Sequence, residues 1–158
     1  MNDKLTSIKE KIEEVYNGEP WYGDPVMSIL KNIKPETALK KVNENVHSIA
    51  ELAVHILRYR EFLLNVLTVN DSFKIDQEET FNIRRIDQNG KTVWNSLLNM
   101  LEQNQQAILK ELDQKEDDIL AQPVKEKPYN VEYLIEGLVQ HDIYHLGQIS
   151  LLKKLIEA

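Results

Sequence analysis

The chain has no cysteine. Disulfides, thiolate metal sites, iron–sulfur clusters and cysteine nucleophiles are therefore excluded. Glycine and proline are scarce, at 5 each, which is too few for the many tight turns of an all-β protein. Apolar runs such as Leu134-Ile135 and Leu151-Leu152 are short and flanked by charge. None approaches the roughly 18 apolar residues that a membrane span requires. From Met1 to Tyr16, charged and apolar residues alternate with no apolar core segment, so this stretch does not resemble a signal peptide. Positive charge is in deficit, with 19 Lys+Arg against 26 Asp+Glu and a net charge of -7. That disfavours a nucleic-acid surface, which needs a basic patch. There is no internal repeat, low-complexity tract, Gly-rich phosphate loop or nucleophile triad. At about 150 residues per domain, the expectation is one domain over 1–158, cytoplasmic, with neither a nucleic acid nor a membrane as partner.

Helical periodicity fills most of the chain. Leu5, Ile8, Ile12 and Val15 recur at spacings of three and four over about 3–17, with Gly18 placed as a C-cap. Asp24-Pro25 resembles an N-cap followed by proline at the first helical position, opening a short helix toward Ile33. Pro35 starts another short turn. A long helix is expected from Asn45 to Leu67. One of its stripes holds Val46, Ile49, Ala50, Ala53, Ile56 and Leu57, and a second holds Leu52, Tyr59, Phe62, Leu63 and Val66. Two adjacent apolar stripes imply packing on two sides. Residues 68–89 are polar and read as a long connection, a kind that is often functional. The next helix is expected from Gly90 to Asp118, with Val93, Leu97, Met100, Leu101, Asn104, Ile108 and Leu112 inward and a charged, solvated end. Pro123 and Pro128 break the pattern, and Asn130 caps a last helix over about 131–156. Four long helices with two long crossovers predict an all-α, four-helix bundle, whose sites are built from inward side chains.

Only four histidines are present: His47, His55, His141 and His145. At about 100° per residue, Leu134, Leu138, His141, His145, Gln148 and Leu152 share one stripe. His141 and His145 stand one turn apart, about 6 Å along the axis, a spacing that lets two imidazoles hold one metal ion. On the earlier helix, His55 lies within the Ser48, Leu52, Tyr59, Phe62 stripe. If the helices are level, His55 stands at the height of the pair, whereas His47 is about 12 Å away along the axis. His55 is therefore favoured over His47. Two readings stay open on spacing alone: hydrogen-bonded core histidines, or imidazoles that share a metal and escape the cost of burial without partners.

The segments His47-Ser48-Ile49-Ala50-Glu51-Leu52-Ala53-Val54-His55-Ile56 and His141-Asp142-Ile143-Tyr144-His145-Leu146-Gly147-Gln148-Ile149 resemble the DinB-like (YfiT-like) metalloenzyme family. Pro20-Trp21-Tyr22-Gly23 also looks like one branch of it, and the resemblance covers nearly the whole chain. It implies an up-down-down-up four-helix bundle, commonly a homodimer. It also implies a divalent metal ion, nickel or zinc, held by His55, His141 and His145. His47 is not carried over and is expected to be a surface or supporting imidazole near the helix start. Three histidines with an open position suit a catalytic metal rather than a structural one. Family members include thiol-dependent transferases and isomerases.

The expected function is therefore metal activation of a water or a low-molecular-weight thiol acting on a small-molecule substrate, as in a thiol transferase or hydrolase. The alternative is a non-catalytic metal-binding stress-response or interaction bundle. Further candidates for the chemistry are Glu51, one turn before His55, Tyr144 on the flank of the stripe, and Gln148 beside His145. For Tyr144 core packing is the simpler expectation. Asp142 is expected to point to a neighbouring helix or solvent, Gly147 to allow close helix approach, and Trp21 and Trp94 to be packing residues.

Overall fold

A computed structural model of the chain describes residues 3–69, 75–76, 79–83 and 90–158. It is all-helical among these residues, with α1 (Asp3–Asn17), α2 (Val26–Lys31), α3 (Pro35–Leu39), α4 (Ile49–Leu67), α5 (Gly90–Leu112) and α6 (Val131–Glu157). A short 3-10 helix, Asp117–Ala121, precedes α6. Of the connection expected at 68–89, residues 70–74, 77–78 and 84–89 lie outside the described residues.

Local chemistry sets the helix boundaries. In α1 the predicted stripe Leu5, Ile8, Ile12 and Val15 is buried throughout. The Leu5 amide donates to Asp117 Oδ1 at 2.9 Å, which places a carboxylate at the positive end of the helix. Gly18 ends α1 by donating its amide to the Glu13 and Glu14 carbonyls. A Cβ there would stand 2.6 Å from the Glu14 Cα, so only glycine fits this stop. Pro25, rather than Asp24, occupies the N-cap of α2, and no side chain caps it. The expected start of α4 at Asn45 moves to Ile49. Ser48 and Glu51 form a capping box there, with Ser48 N donating to Glu51 Oε2 at 2.7 Å and Glu51 N to Ser48 Oγ at 3.2 Å. The expected end of α5 at Asp118 moves back to Leu112. The charged residues beyond it serve α1 instead: Asp113 pairs with Lys9, and Asp117 caps Leu5. Asn130 caps α6 as expected, accepting from Tyr133 N at 3.0 Å.

α4 packs on α5 and α6, and α1 packs on α6 and α5. α2 and α3 contact α5 and α6, and the Trp94 indole ties α5 to the α2–α3 turn by donating to the Ile33 carbonyl at 3.0 Å. Two apolar clusters result. The first joins Tyr16, α2, α3, Ile49 to Leu57, Trp94 to Leu101, and Leu146 to Leu152. The second joins Leu5 to Ile12, Phe62 to Leu67, Ile108, Leu112, and Val131 to Leu138. Between them lie buried Arg60, Asn104, Gln105 and Asp142, together with the histidines of α4 and α6.

Candidate metal centre

His55 stands near the middle of α4, and His141 and His145 stand one turn apart on α6. One ring nitrogen of each lies within 4.8 Å of the other two. A metal–nitrogen bond of about 2.1 Å would draw them somewhat closer. Ring centroids are 4.9 Å apart for His55 and His141, 4.7 Å for His55 and His145, and 4.4 Å for His141 and His145. His55 and His145 are buried, and His141 is partly exposed.

The donor set suits a metal. His145 Nδ1 lies 2.7 Å from Gln148 Oε1. An amide oxygen only accepts, so Nδ1 carries the proton and Nε2 is left to bind. His55 Nδ1 and both ring nitrogens of His141 are buried with no hydrogen-bond partner. Each such orphan costs about 1–3 kcal/mol, and a group of them together points to a missing partner. Burial, reinforced by His141, His145 and His47, pushes the His55 imidazole down to about 3. Burial also lowers His145, against the opposing effect of the hydrogen bond it donates to Gln148. Both rings are thus neutral at pH 7, the form that ligates.

Aromatic rings close the site. Phe81 stacks on His55 with centroids 4.0 Å apart and on His47 with centroids 3.8 Å apart, each nearly parallel. It therefore separates the two histidines of this region. Tyr59 packs against His55 and His141. Phe81 belongs to the polar connection, where no periodicity marks it. Tyr59 belongs to the predicted second stripe of α4. A cavity of about 980 Å³, lined by Phe62, Val66, Lys127 and Val131 among others, includes none of the histidines.

His47 is half-exposed and stays outside the trio, with Nδ1 3.7 Å from Glu51 Oε2. Glu51 is not brought to bear on His55. Its carboxylate caps α4 and pairs with Lys41 at 3.0 Å. Burial works to raise its pKa, but the Ser48 amide and Lys41 outweigh that and hold it below the usual range. Tyr144 is 65% exposed, so the core-packing expectation fails, yet its ring edge lies against His145 with centroids 5.0 Å apart. Gly147 is exposed with open space where a Cβ would be, so it permits no close helix approach. Trp94 is buried as expected, whereas Trp21 is 99% exposed and packs on nothing. Asp142 does point to a neighbouring helix, where its Oδ2 accepts from Arg60 Nε at 3.0 Å. Arg60 has no signal in the sequence, because a buried arginine looks like any other charge on a helix until its partner is located.

A helical fold whose inward imidazoles converge on one point defines a protein able to hold a metal ion on three histidines. The family model of the DinB family matches residues 1–156, nearly the whole chain, and the chain belongs to that family. No curated protein and no solved structure matches it. Among the described residues, no helix is long and apolar enough to cross a membrane.

Proposed function

We propose that this DinB family member is a metal-dependent enzyme. It holds one divalent ion, nickel or zinc, on His55, His141 and His145, and it acts on a small molecule through an activated water or low-molecular-weight thiol. The observation that carries this reading is the convergence of one ring nitrogen from each of the three histidines within 4.8 Å, in a site where His55 and His141 carry buried nitrogens without a hydrogen-bond partner. The chemistry such an ion supplies when bound is acidification, bringing a water toward a pKa of about 7 or ionising a thiol. The chain's own residues do the rest. Gln148 fixes the ring of His145, Phe81 and Tyr59 pack over the site, and the partly exposed His141 marks the side of entry. Tyr144, exposed beside His145, is placed to meet a substrate at that mouth.

The same reading takes the fold as an up-down-down-up four-helix bundle. In its support, α1 and α6 begin in the second apolar cluster and end in the first, whereas α4 and α5 run the opposite way. The protein acts in this reading as a cytoplasmic homodimer.

Metal analysis by mass spectrometry on tag-free protein, beside a His141→Ala/His145→Ala variant, tests the centre. About one nickel or zinc per wild-type chain and none in the variant supports it, and assays with thiol cosubstrates then test the chemistry. A wild-type chain that stays empty after incubation with divalent ions sinks the enzyme reading. Metal binding without turnover on any thiol favours the non-catalytic stress-response module.

A further inference from the structure

The polar residues between the two apolar clusters include Arg60 from α4, Gln105 from α5 and Asp142 from α6, and Tyr16 of the first cluster borders them from α1. They form one connected layer. The Arg60 guanidinium lies 4.5 Å from the centre of the Tyr16 ring, donates from Nη1 to Gln105 Oε1 at 2.7 Å, and donates from Nε to Asp142 Oδ2 at 3.0 Å. Arg60 and Asp142 are each 1% exposed.

One acceptor in this layer is unused. Asp142 Oδ1 is buried with no hydrogen-bond partner. It lies 3.8 Å from His141 Nδ1, which is also buried and unpartnered. A single Nδ1–H···Oδ1 bond satisfies both atoms and needs an approach of about 1 Å to reach normal length. Arg60 already occupies Oδ2, so Oδ1 is the carboxylate atom left for the imidazole.

We infer that Asp142, held in place by Arg60, is the positioning residue of His141. Its Oδ1 accepts the Nδ1 proton and leaves Nε2 with its lone pair for the point shared with His55 and His145. His145 is oriented in the same manner by a neutral amide, Gln148. The two ligands on α6 thus differ in their support, one backed by a carboxylate anchored across the bundle and one by a local side chain. A carboxylate behind a ligand imidazole fixes the tautomer and raises its basicity. The tautomer claim stands on geometry alone, whereas its consequence for affinity rests on the metal centre proposed above.

The test uses the full chain. Histidine ring nitrogens are read by long-range proton–nitrogen NMR in the presence of a chelator, and zinc affinity is read by competition with a chromophoric chelator. Asp142→Asn is the obvious variant, but it leaves Arg60 buried without an anion. Arg60→Met/Asp142→Leu removes both charges at similar volume, a replacement that folded proteins tolerate. In wild type, His141 is expected as the Nδ1–H tautomer. In the double variant that preference is lost and zinc binds about 10–100-fold more weakly, while His145 keeps its tautomer. An Nε2–H tautomer at His141 in wild type overturns the inference. So does a folded double variant with unchanged tautomer and affinity. If wild type binds no zinc, the metal reading fails, and the ring-nitrogen spectrum still decides the role of Asp142.

Discussion

The two apolar clusters and the polar layer between them are built from the same four helices under different rules. In the clusters, side chains such as Leu97, Ile56 and Ile135 are fully buried and interchangeable in kind. What matters there is volume and shape. In the layer, polar groups meet particular partners, Arg60 with Asp142 and Gln105 and Gln148 with His145, while Asp142 Oδ1, His55 Nδ1 and both ring nitrogens of His141 are buried without one. Losing one member there leaves a buried charge or ring nitrogen with nothing to bind. The clusters bury most of the apolar surface, and apolar burial is the dominant favourable term in folding.

The largest effect expected from this contrast comes from breaking the buried ion pair on one side. Asp142→Ala should cost about 3–5 kcal/mol of stability, measured by urea unfolding, because Arg60 then keeps its charge without a partner. A cost below that of a surface substitution would mean that water reaches Arg60. In the first cluster, Leu97→Ala should cost about 2–5 kcal/mol, whereas Leu97→Met should cost under about 1.5 kcal/mol. Equal losses for the two would contradict the tolerance assigned to the clusters.

A smaller effect should follow pH. His55 titrates at about 3 in the folded chain, pushed down first by burial and then by its histidine neighbours. Its unfolded value is near about 6.5. Above that pH both states are neutral at this position, and the full stability is present. As pH falls from there toward the folded value, the unfolded chain takes up a proton that the folded chain refuses, so stability declines. With a chelator present, the urea midpoint of wild type should fall between pH 7 and 5 more steeply than that of His55→Gln. Parallel slopes would remove His55 from the buried set.

The smallest effect should come from the surface. Lys9 and Asp113 are paired, but Asp113 is largely exposed. Asp113→Asn should change stability by less than about 1 kcal/mol, and the change should vanish at high salt. A cost comparable to Asp142→Ala would erase the distinction between layer and surface.

Much of this organisation was legible in the residue pattern. The α1 stripe, the inward faces of α4 and α5, and the Asn130 cap all follow from spacing and residue type. His55 was separable from His47 by height on the helix, and His141, His145 and Gln148 by their common stripe. Other features were not legible, each for a physical reason. The start of α4 is an exception, since the Ser48–Glu51 capping box that fixes it is a local Ser-x-x-Glu pattern, and only the taking of Glu51 away from the histidines depended on the fold. Tyr144 and Trp21 are exposed because burial of an aromatic depends on what lies opposite, and periodicity does not report that. Phe81 comes from a stretch without periodicity, yet it covers His55.

By itself, the sequence determined the helical class and the inward faces, because residue spacing maps directly onto the faces of a helix, and it set His141 and His145 on one stripe and favoured His55 over His47. Only the tertiary structure decided that Arg60 meets Asp142, that Asp142 leaves one oxygen turned to His141, and that Phe81 stands between His47 and His55. Those contacts join residues far apart in the chain, and no local pattern encodes a partner that is brought near only when the helices pack.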